Sequence, residues 1–291
     1  MRRLGASLGC LLLLAGPAGA FALKDSRGRE LVLPAPPQRI VSLVPSVTEI
    51  VYTLGGQERL VGVTDFCDWP PEATKKPRVG SMLAPNLEIL VALRPDVVVV
   101  TSEGNRQETF EQLERLRIPV FTVNPHRLSD VMAVIAQLGE LTGRRAAVGP
   151  LTRALARRIA AVEQAVGAHP RPKVLYVLWP DPLIVPGREG LVTELIQMAG
   201  GDSVTAGEPS AYPRFSLEAV AARAPEVIIL ARHGADRTPL SRAPWERLTA
   251  LPAVRAGRIH SVDGTYLHRY GPRVVDGLEM LARVIHPEAF R

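Results

Sequence analysis

The sequence predicts an α/β protein of two similarly built lobes, each around a central parallel sheet, joined by one long rigid α-helix. Three observations predict it. First, residues 86–104 (NLEILVALRPDVVVVTSEG) and 216–234 (SLEAVAARAPEVIILARHG) align without a gap, sharing Leu87/Leu217, Glu88/Glu218, Ala92/Ala222, Pro95/Pro225, Val97/Val227 and Gly104/Gly234 at an offset of 218 − 88 = 130. Solenoid repeats recur every ~20–50 residues, so an offset this long relates two domains. Second, Thr48-Glu49-Ile50 through Gly55-Gly56 recurs as Thr193-Glu194-Leu195 through Gly200-Gly201. Third, Ala147, Val148, Leu151, Leu155, Ile159, Val162 and Val166 keep a three-to-four spacing. That spacing draws one apolar stripe along a helix of about 30 Å, a strut between the lobes.

The chain opens with Arg2 and Arg3 before an apolar run, Leu8 to Ala15, and the small residues Ala18-Gly19-Ala20. These are the charged region, apolar core and cleavage site of a secretory signal peptide over residues 1–20, and the run is too short to span a membrane. Residues 21–38 predict a two-strand hairpin around Ser26-Arg27-Gly28 and a Pro-rich lead-in. Arg39 to Leu43 is a buried strand with Val44-Pro45-Ser46 as its carboxyl-end loop. A helix opening at Ser46 or Val47-Thr48 runs to Leu54, where Gly55-Gly56 closes it. Leu60 to Val63 is the next strand. Asn86 and Ser216 cap the repeated helices, and Glu88 and Glu218 occupy first turns, where the dipole favours a carboxylate. Pro95 and Pro225 end those helices, and the buried strands Val97 to Val100 and Val227 to Leu230 follow.

A helix from Gly104-Asn105-Arg106 to Leu116, a strand from Pro119 to Val123 and a helix from Ser129 to Leu141 complete the first lobe. Its limits are residues 21–143, with a linking helix over 144–168 and a second lobe over 169–291. In that lobe Lys173 to Trp179 and Ile259 to Val262 are strands, Thr193 to Met198 is a helix, and Asp263 to Pro272 is a loop. A final helix runs to about Val284.

Composition narrows the function. A hydrophobic share of 46% fits a globular protein, and the formal charge of +6 falls to +4 once Arg2 and Arg3 leave. The arginines are scattered and not interleaved with aromatics, so nucleic acid is not an expected partner. Cys10 lies in the signal peptide, which leaves Cys67 alone and excludes a disulfide framework or a thiolate zinc cluster. There is no phosphate-cradling loop, no dinucleotide fingerprint and no nucleophile elbow, so no catalytic residue is assigned and an α/β hydrolase is a distant alternative. His126, His169, His233, His260, His268 and His286 are dispersed without paired helical spacing, and neither a metal site nor a cofactor is expected. His268 keeps two readings, a ligand or base and an ordinary loop histidine.

What remains is a crevice, because ligands of open α/β sheets bind outside the carboxyl ends of the strands. Pro45, Phe66, Trp69 and Met82 point toward it from one lobe, and Trp179, Tyr212, Tyr266 and Tyr270 from the other. Aromatics are only 5% of the chain, so this grouping suits a large, flat, partly apolar ligand. Phe66 and Trp69 have a second reading, as rings packed locally under their own loop.

The strings RIVSLVPSVTEIVYTLGG, VGVTDFCDWPPEA and VGSMLAPNLEILVALRPDVVVV resemble the periplasmic substrate-binding proteins of iron-siderophore, haem and cobalamin uptake, and most of all the cobalamin-binding type. The resemblance spans the mature chain and is strongest from Arg39 to Gly104. It implies two Rossmann-like lobes on one rigid helix (a class III periplasmic binding protein), little closure on binding, and a periplasmic monomer serving an ABC permease dimer. It places corrin contacts near Pro45 and Ser46, on Phe66, and on Tyr212, where the cobalamin type has tryptophan. Met82 also stands where that type can have tryptophan, and Trp69 and Trp179 are candidates to restore stacking surface. It makes Glu88 and Glu218 the permease-docking residues, one per lobe. The alternative within the class is haem or a ferric siderophore, with Tyr266, His268 or Tyr270 at the iron.

Overall fold

The computed structural model describes residues 20–232 and 240–291. The expected signal peptide, apart from Ala20, lies outside the described residues, as do His233 and Gly234. No helix among them is long and apolar enough to cross a membrane.

A hairpin of β1 (Phe21–Lys24) and β2 (Glu30–Leu33) leads in. Its turn passes through Gly28 at φ 75, a conformation that costs glycine nothing. The first lobe then alternates β3 (Ile40–Ser42), α1 (Pro45–Thr53), β4 (Leu60–Val63), α2 (Leu87–Ala92), β5 (Val97–Val100), α3 (Gln107–Arg115), β6 (Val120–Thr122) and α4 (Leu128–Leu141). The strut is α5 (Arg145–Val166). The second lobe holds β7 (Lys173–Val177), β8 (Trp179–Pro180), β9 (Leu183–Ile184), α6 (Leu191–Met198), β10 (Asp202–Ser203), α7 (Leu217–Arg223), β11 (Val227–Arg232), α8 (Ala243–Glu246), α9 (Pro252–Arg255), β12 (Ile259–Asp263), α10 (Thr265–His268) and α11 (Val274–Ile285).

Both main sheets are parallel, in the orders β4-β3-β5-β6 and β10-β7-β11-β12. Each therefore places its second strand outside its first, followed by the third and fourth, and the internal duplication extends to topology. The repeated stretches match in detail. Asn86 accepts from the Ile89 N–H and Ser216 from the Ala219 N–H, both at 3.1 Å. Both helices end at a left-handed residue, Arg94 (φ 45) and Ala224 (φ 48), directly before the proline. The proline disfavours a helical residue ahead of it, and the left-handed exit costs about 1 kcal/mol. Helices cover both faces of each sheet, so β5 and residues 227–230 of β11 are fully buried apolar runs.

Three differences from the sequence reading bear on the cleft. The α1 helix starts at Pro45, since proline in a first turn has no N–H to lose. The strand expected from Lys173 to Trp179 stops at Val177, because the Leu178 N–H turns to the Ile184 carbonyl and Trp179 joins the two-strand β8-β9 hairpin. Within residues 263–272, expected as loop, α10 forms a helical turn.

The largest core runs through both lobes. Leu155 and Val162 on the inner face of α5 share it with Leu138 of α4 and Leu278 and Leu281 of α11. Arg158 of α5 also pairs with Glu279 of α11 at 2.8 Å. The Thr-Glu repeat supplies a second junction. Glu49 of α1 accepts from the backbone N–H of Arg273 at 3.0 Å and its Nε at 2.8 Å, at the start of α11. Glu194 of α6 accepts from the Leu128 N–H, at the start of α4, at 2.8 Å. A helix start carries unpaired N–H groups and partial positive charge. Each lobe's first helix thus caps the last helix of the other lobe, and two related carboxylates fasten the halves together.

Candidate functional site in the cleft between the lobes

The carboxyl ends of the two sheets face one another across a cavity of about 380 Å³. Pro45 and Ser46 enter it from the first turn of α1. Phe66 stands on the loop after β4 with 56% of its surface exposed. Its neighbour Cys67 is buried, with Sγ at 3.2 Å from the hydroxyls of Thr48 and Thr64. Arg78 bonds the carbonyls of Thr64 and Cys67. With the loop anchored on its inner side, the Phe66 ring projects outward. Met82 is held by Asn105, whose Nδ2 donates to the Met82 carbonyl at 2.7 Å. Its methyl lies where a Cβ on Gly104 would be, 1.6 Å away, so the thioether rests on a surface only glycine leaves open.

The second lobe contributes Tyr212, His268 and Tyr270. The hydroxyls of Tyr212 and Tyr270 hydrogen-bond to each other. His268 Nε2 meets the hydroxyl of the buried Tyr176 at 2.9 Å, with the rings edge to face. Burial raises the pKa of Tyr270, and the adjacent Tyr212 raises it further. Burial also raises Tyr212, the bond to Tyr270 partly opposing it, and raises Tyr176 well above the ordinary value. Folded-state values above the unfolded one give stability that is complete below a pH of about 10 and lost as pH rises through the folded values. A phenolate absorbance titration is expected to show these three tyrosines ionising together with alkaline unfolding, while the urea-unfolded chain titrates near pH 10. A phenolate signal near pH 10 that vanishes in Tyr270→Phe would contradict the buried pair.

The sequence matches the periplasmic binding protein family over residues 40–266. This chain belongs to that family. The vitamin B12-binding protein of Pectobacterium carotovorum is 30% identical over 244 residues, covering 82% of this chain and 85% of that protein. A periplasmic haem-binding protein from Pseudomonas aeruginosa superposes with a TM-score of 0.75 at 29% identity, over 86% of this chain and 93% of that one. The periplasmic vitamin B12-binding protein of Vibrio cholerae superposes with a TM-score of 0.76 over 88% and 99%. At 24% identity that last likeness shows the fold alone.

In this periplasmic binding protein the cavity brings together Pro45, Ser46, Phe66, Met82, Tyr212 and Tyr270, and leaves Trp69, Trp179 and Tyr266 out of its lining. The guanidinium of Arg273 lies 4.4 Å over the Trp69 ring and 5.4 Å from that of Tyr266. The Arg273 beside these rings is the one Glu49 holds, so Trp69, itself 43% exposed, also takes part in the junction between lobes. Trp179 sits in the β8-β9 hairpin, its indole donating to the Asp181 carbonyl at 3.0 Å. Sequence reasoning missed Thr101 and Glu103, which line the cavity after β5, and Arg269, which pairs with Asp68 across its mouth. Burial raises the Glu103 carboxyl, against the pull of His126, whose Nδ1 is 2.9 Å away. The TSEG ending of the first repeat was the available signal for Thr101 and Glu103, since it follows a buried strand.

Glu88 and Glu218 are both exposed in the first turns of α2 and α7. A crossover helix runs back from the carboxyl edge of one strand to the amino edge of the next, so both lie toward the carboxyl-edge side of their lobes. Hydrogen bonds from its own backbone N–H and from Ser216 lower the Glu218 carboxyl and keep it charged. Exposed apolar side chains accompany them, Leu83, Ile89 and Val91 on the first lobe and Leu217 on the second.

Proposed function

We propose that this periplasmic binding protein is the exported solute-binding component of an ABC importer, that it holds cobalamin or a related corrinoid between its lobes, and that Glu88 and Glu218 dock it on a permease dimer. The observation that carries the reading is the cavity itself, with Phe66 and Met82 of one lobe opposite the Tyr212 and Tyr270 pair of the other. A corrin is broad, with apolar faces and a polar rim. Ring and thioether surfaces suit its faces, and phenol, serine and carboxylate groups suit its rim. The fastening by Glu49, Glu194 and α5 favours a preformed cleft, with residues 21–143 and 169–291 as lobes and 144–168 as strut. Export rests on the expected signal peptide. The test is equilibrium titration with cobalamin: Phe66→Ala is expected to weaken affinity about tenfold or more by removing a stacking face. Unchanged affinity would remove the ligand from this cleft.

A second reading has its own support. Tyr212, His268 and Tyr270 bring oxygen and nitrogen donors to the cavity, the kinds of group that hold haem iron. Haem added to the purified protein would then give a Soret band that shifts in Tyr270→Phe. On the corrinoid reading no such tyrosine-dependent band forms.

A further inference from the structure

Away from the cleft, the fold gathers two histidines and a carboxylate that lie far apart in sequence. His169 is in the connection leaving α5, while His286 and Glu288 lie at and just beyond the end of α11. Three ligand atoms, one from each of these side chains (two imidazole nitrogens and one carboxylate oxygen), lie within 4.8 Å of one another. His286 is 2% exposed, and its Nε2 is 3.1 Å from the carbonyl oxygen of Gly200. A carbonyl only accepts, so Nε2 carries the hydrogen and Nδ1 of the neutral ring carries a lone pair. That lone pair faces Glu288 Oε1 at 3.2 Å, and His169 Nδ1 faces the same oxygen at 3.6 Å. Two basic nitrogens converging on a carboxylate leave lone pairs opposed unless a proton or a cation lies between them.

The geometry suits a cation. Ligands bonded to zinc at ~2.0–2.1 Å in a tetrahedron are about 3.3 Å apart. The two nitrogen–oxygen separations lie on either side of that value, and the nitrogen–nitrogen separation is within 4.8 Å. Metal-bound histidines usually donate their other N–H to a carbonyl or carboxylate, as His286 does to Gly200. Gly200 itself has φ 82, and a Cβ there would lie 2.6 Å from His286 Nε2, so glycine is what lets the imidazole reach the carbonyl. Neighbouring cations are engaged elsewhere. Arg171 bonds Asp202 and the carbonyls of Gln197 and Gly201, and Arg258 bonds the Ile285 carbonyl.

We propose that His169, His286 and Glu288 form a site for one divalent transition-metal cation of zinc-like preference, fastening the C-terminal turn, Pro287–Phe290, to the ends of α5 and α6. Two imidazole nitrogens and one carboxylate are a donor set for zinc, with the fourth position left to water.

Chelator-stripped mature protein titrated with Co²⁺ tests it. The expected result is a 1:1 visible absorption spectrum of four-coordinate cobalt that Zn²⁺ displaces. Zn²⁺ affinity, measured against a chromogenic chelator, falls about tenfold or more in His169→Ala and in Glu288→Gln, both at partly exposed positions. Zn²⁺ raises the Tm of the unaltered protein and leaves that of His169→Ala unchanged. His126→Ala, at a histidine paired with Glu103 in the first lobe, leaves binding intact. Absence of a 1:1 cobalt complex, binding retained in both variants, or binding lost in His126→Ala would overturn the proposal.

Discussion

Replacing Glu88 and Glu218 together by lysine is expected to abolish ligand uptake through a reconstituted importer and to leave ligand affinity within about twofold of the starting value. The physical case rests on placement. Both carboxylates are exposed in equivalent first turns, one per lobe, each beside exposed apolar residues, and neither lines the cavity. Like charges set against each other at an interface cost several kcal/mol, and on the docking reading two reversals would act at two related points of a two-fold permease. A single reversal leaves one contact and is expected to slow uptake without abolishing it. A loss of ligand affinity in the double variant would instead place the glutamates in the binding site. Uptake preserved in the double variant would remove their docking role.

Glu49→Ala is expected to lower the stability of the folded chain by about 3–5 kcal/mol, the range for breaking a buried ion pair from one side. Glu49 is 2% exposed and bonds both the backbone and the guanidinium of Arg273. Its loss uncaps α11, leaves a largely buried arginine unpaired, and loosens the cover over Trp69 and Tyr266. Its counterpart Glu194 is less buried and makes one backbone bond, so Glu194→Ala is expected to cost about 1 kcal/mol, the ordinary value of a lost cap. Urea unfolding followed by tryptophan fluorescence measures both. A Glu49→Ala cost no larger than that of Glu194→Ala would show that the junction does not depend on this ion pair.

The contrast between these glutamates shows what the sequence made legible. Glu88 and Glu218 are fixed by local grammar, a capping Asn or Ser, a first-turn carboxylate and a proline stop, and a recurrence at one offset is readable by eye. The Thr-Glu recurrence at residues 48 and 193 was equally visible, but its partners, Arg273 and Leu128, belong to the other lobe and only the folded chain brings them near. Trp69 illustrates the same limit. Nothing local to its strand-end loop announces that Arg273, far along the chain, lies over its ring. Trp179 was misplaced by local continuity, since an apolar strand reads on through Leu178 while the backbone has already turned to pair with Ile184. The six histidines show no pairing in one dimension, yet His169 and His286 meet because α5 and α11 pack side by side. Strand order too is a tertiary property, and the duplication foretold only that both lobes would share it.

The most direct test of the corrinoid reading is calorimetric titration of the mature protein, in parallel, with cobalamin, cobinamide, haem and a ferric siderophore. The account predicts one-to-one binding of cobalamin at least tenfold tighter than haem or the siderophore, with the preference lost in Phe66→Ala. Tighter binding of haem or of the siderophore, or cobalamin affinity unaffected by Phe66→Ala, would contradict it.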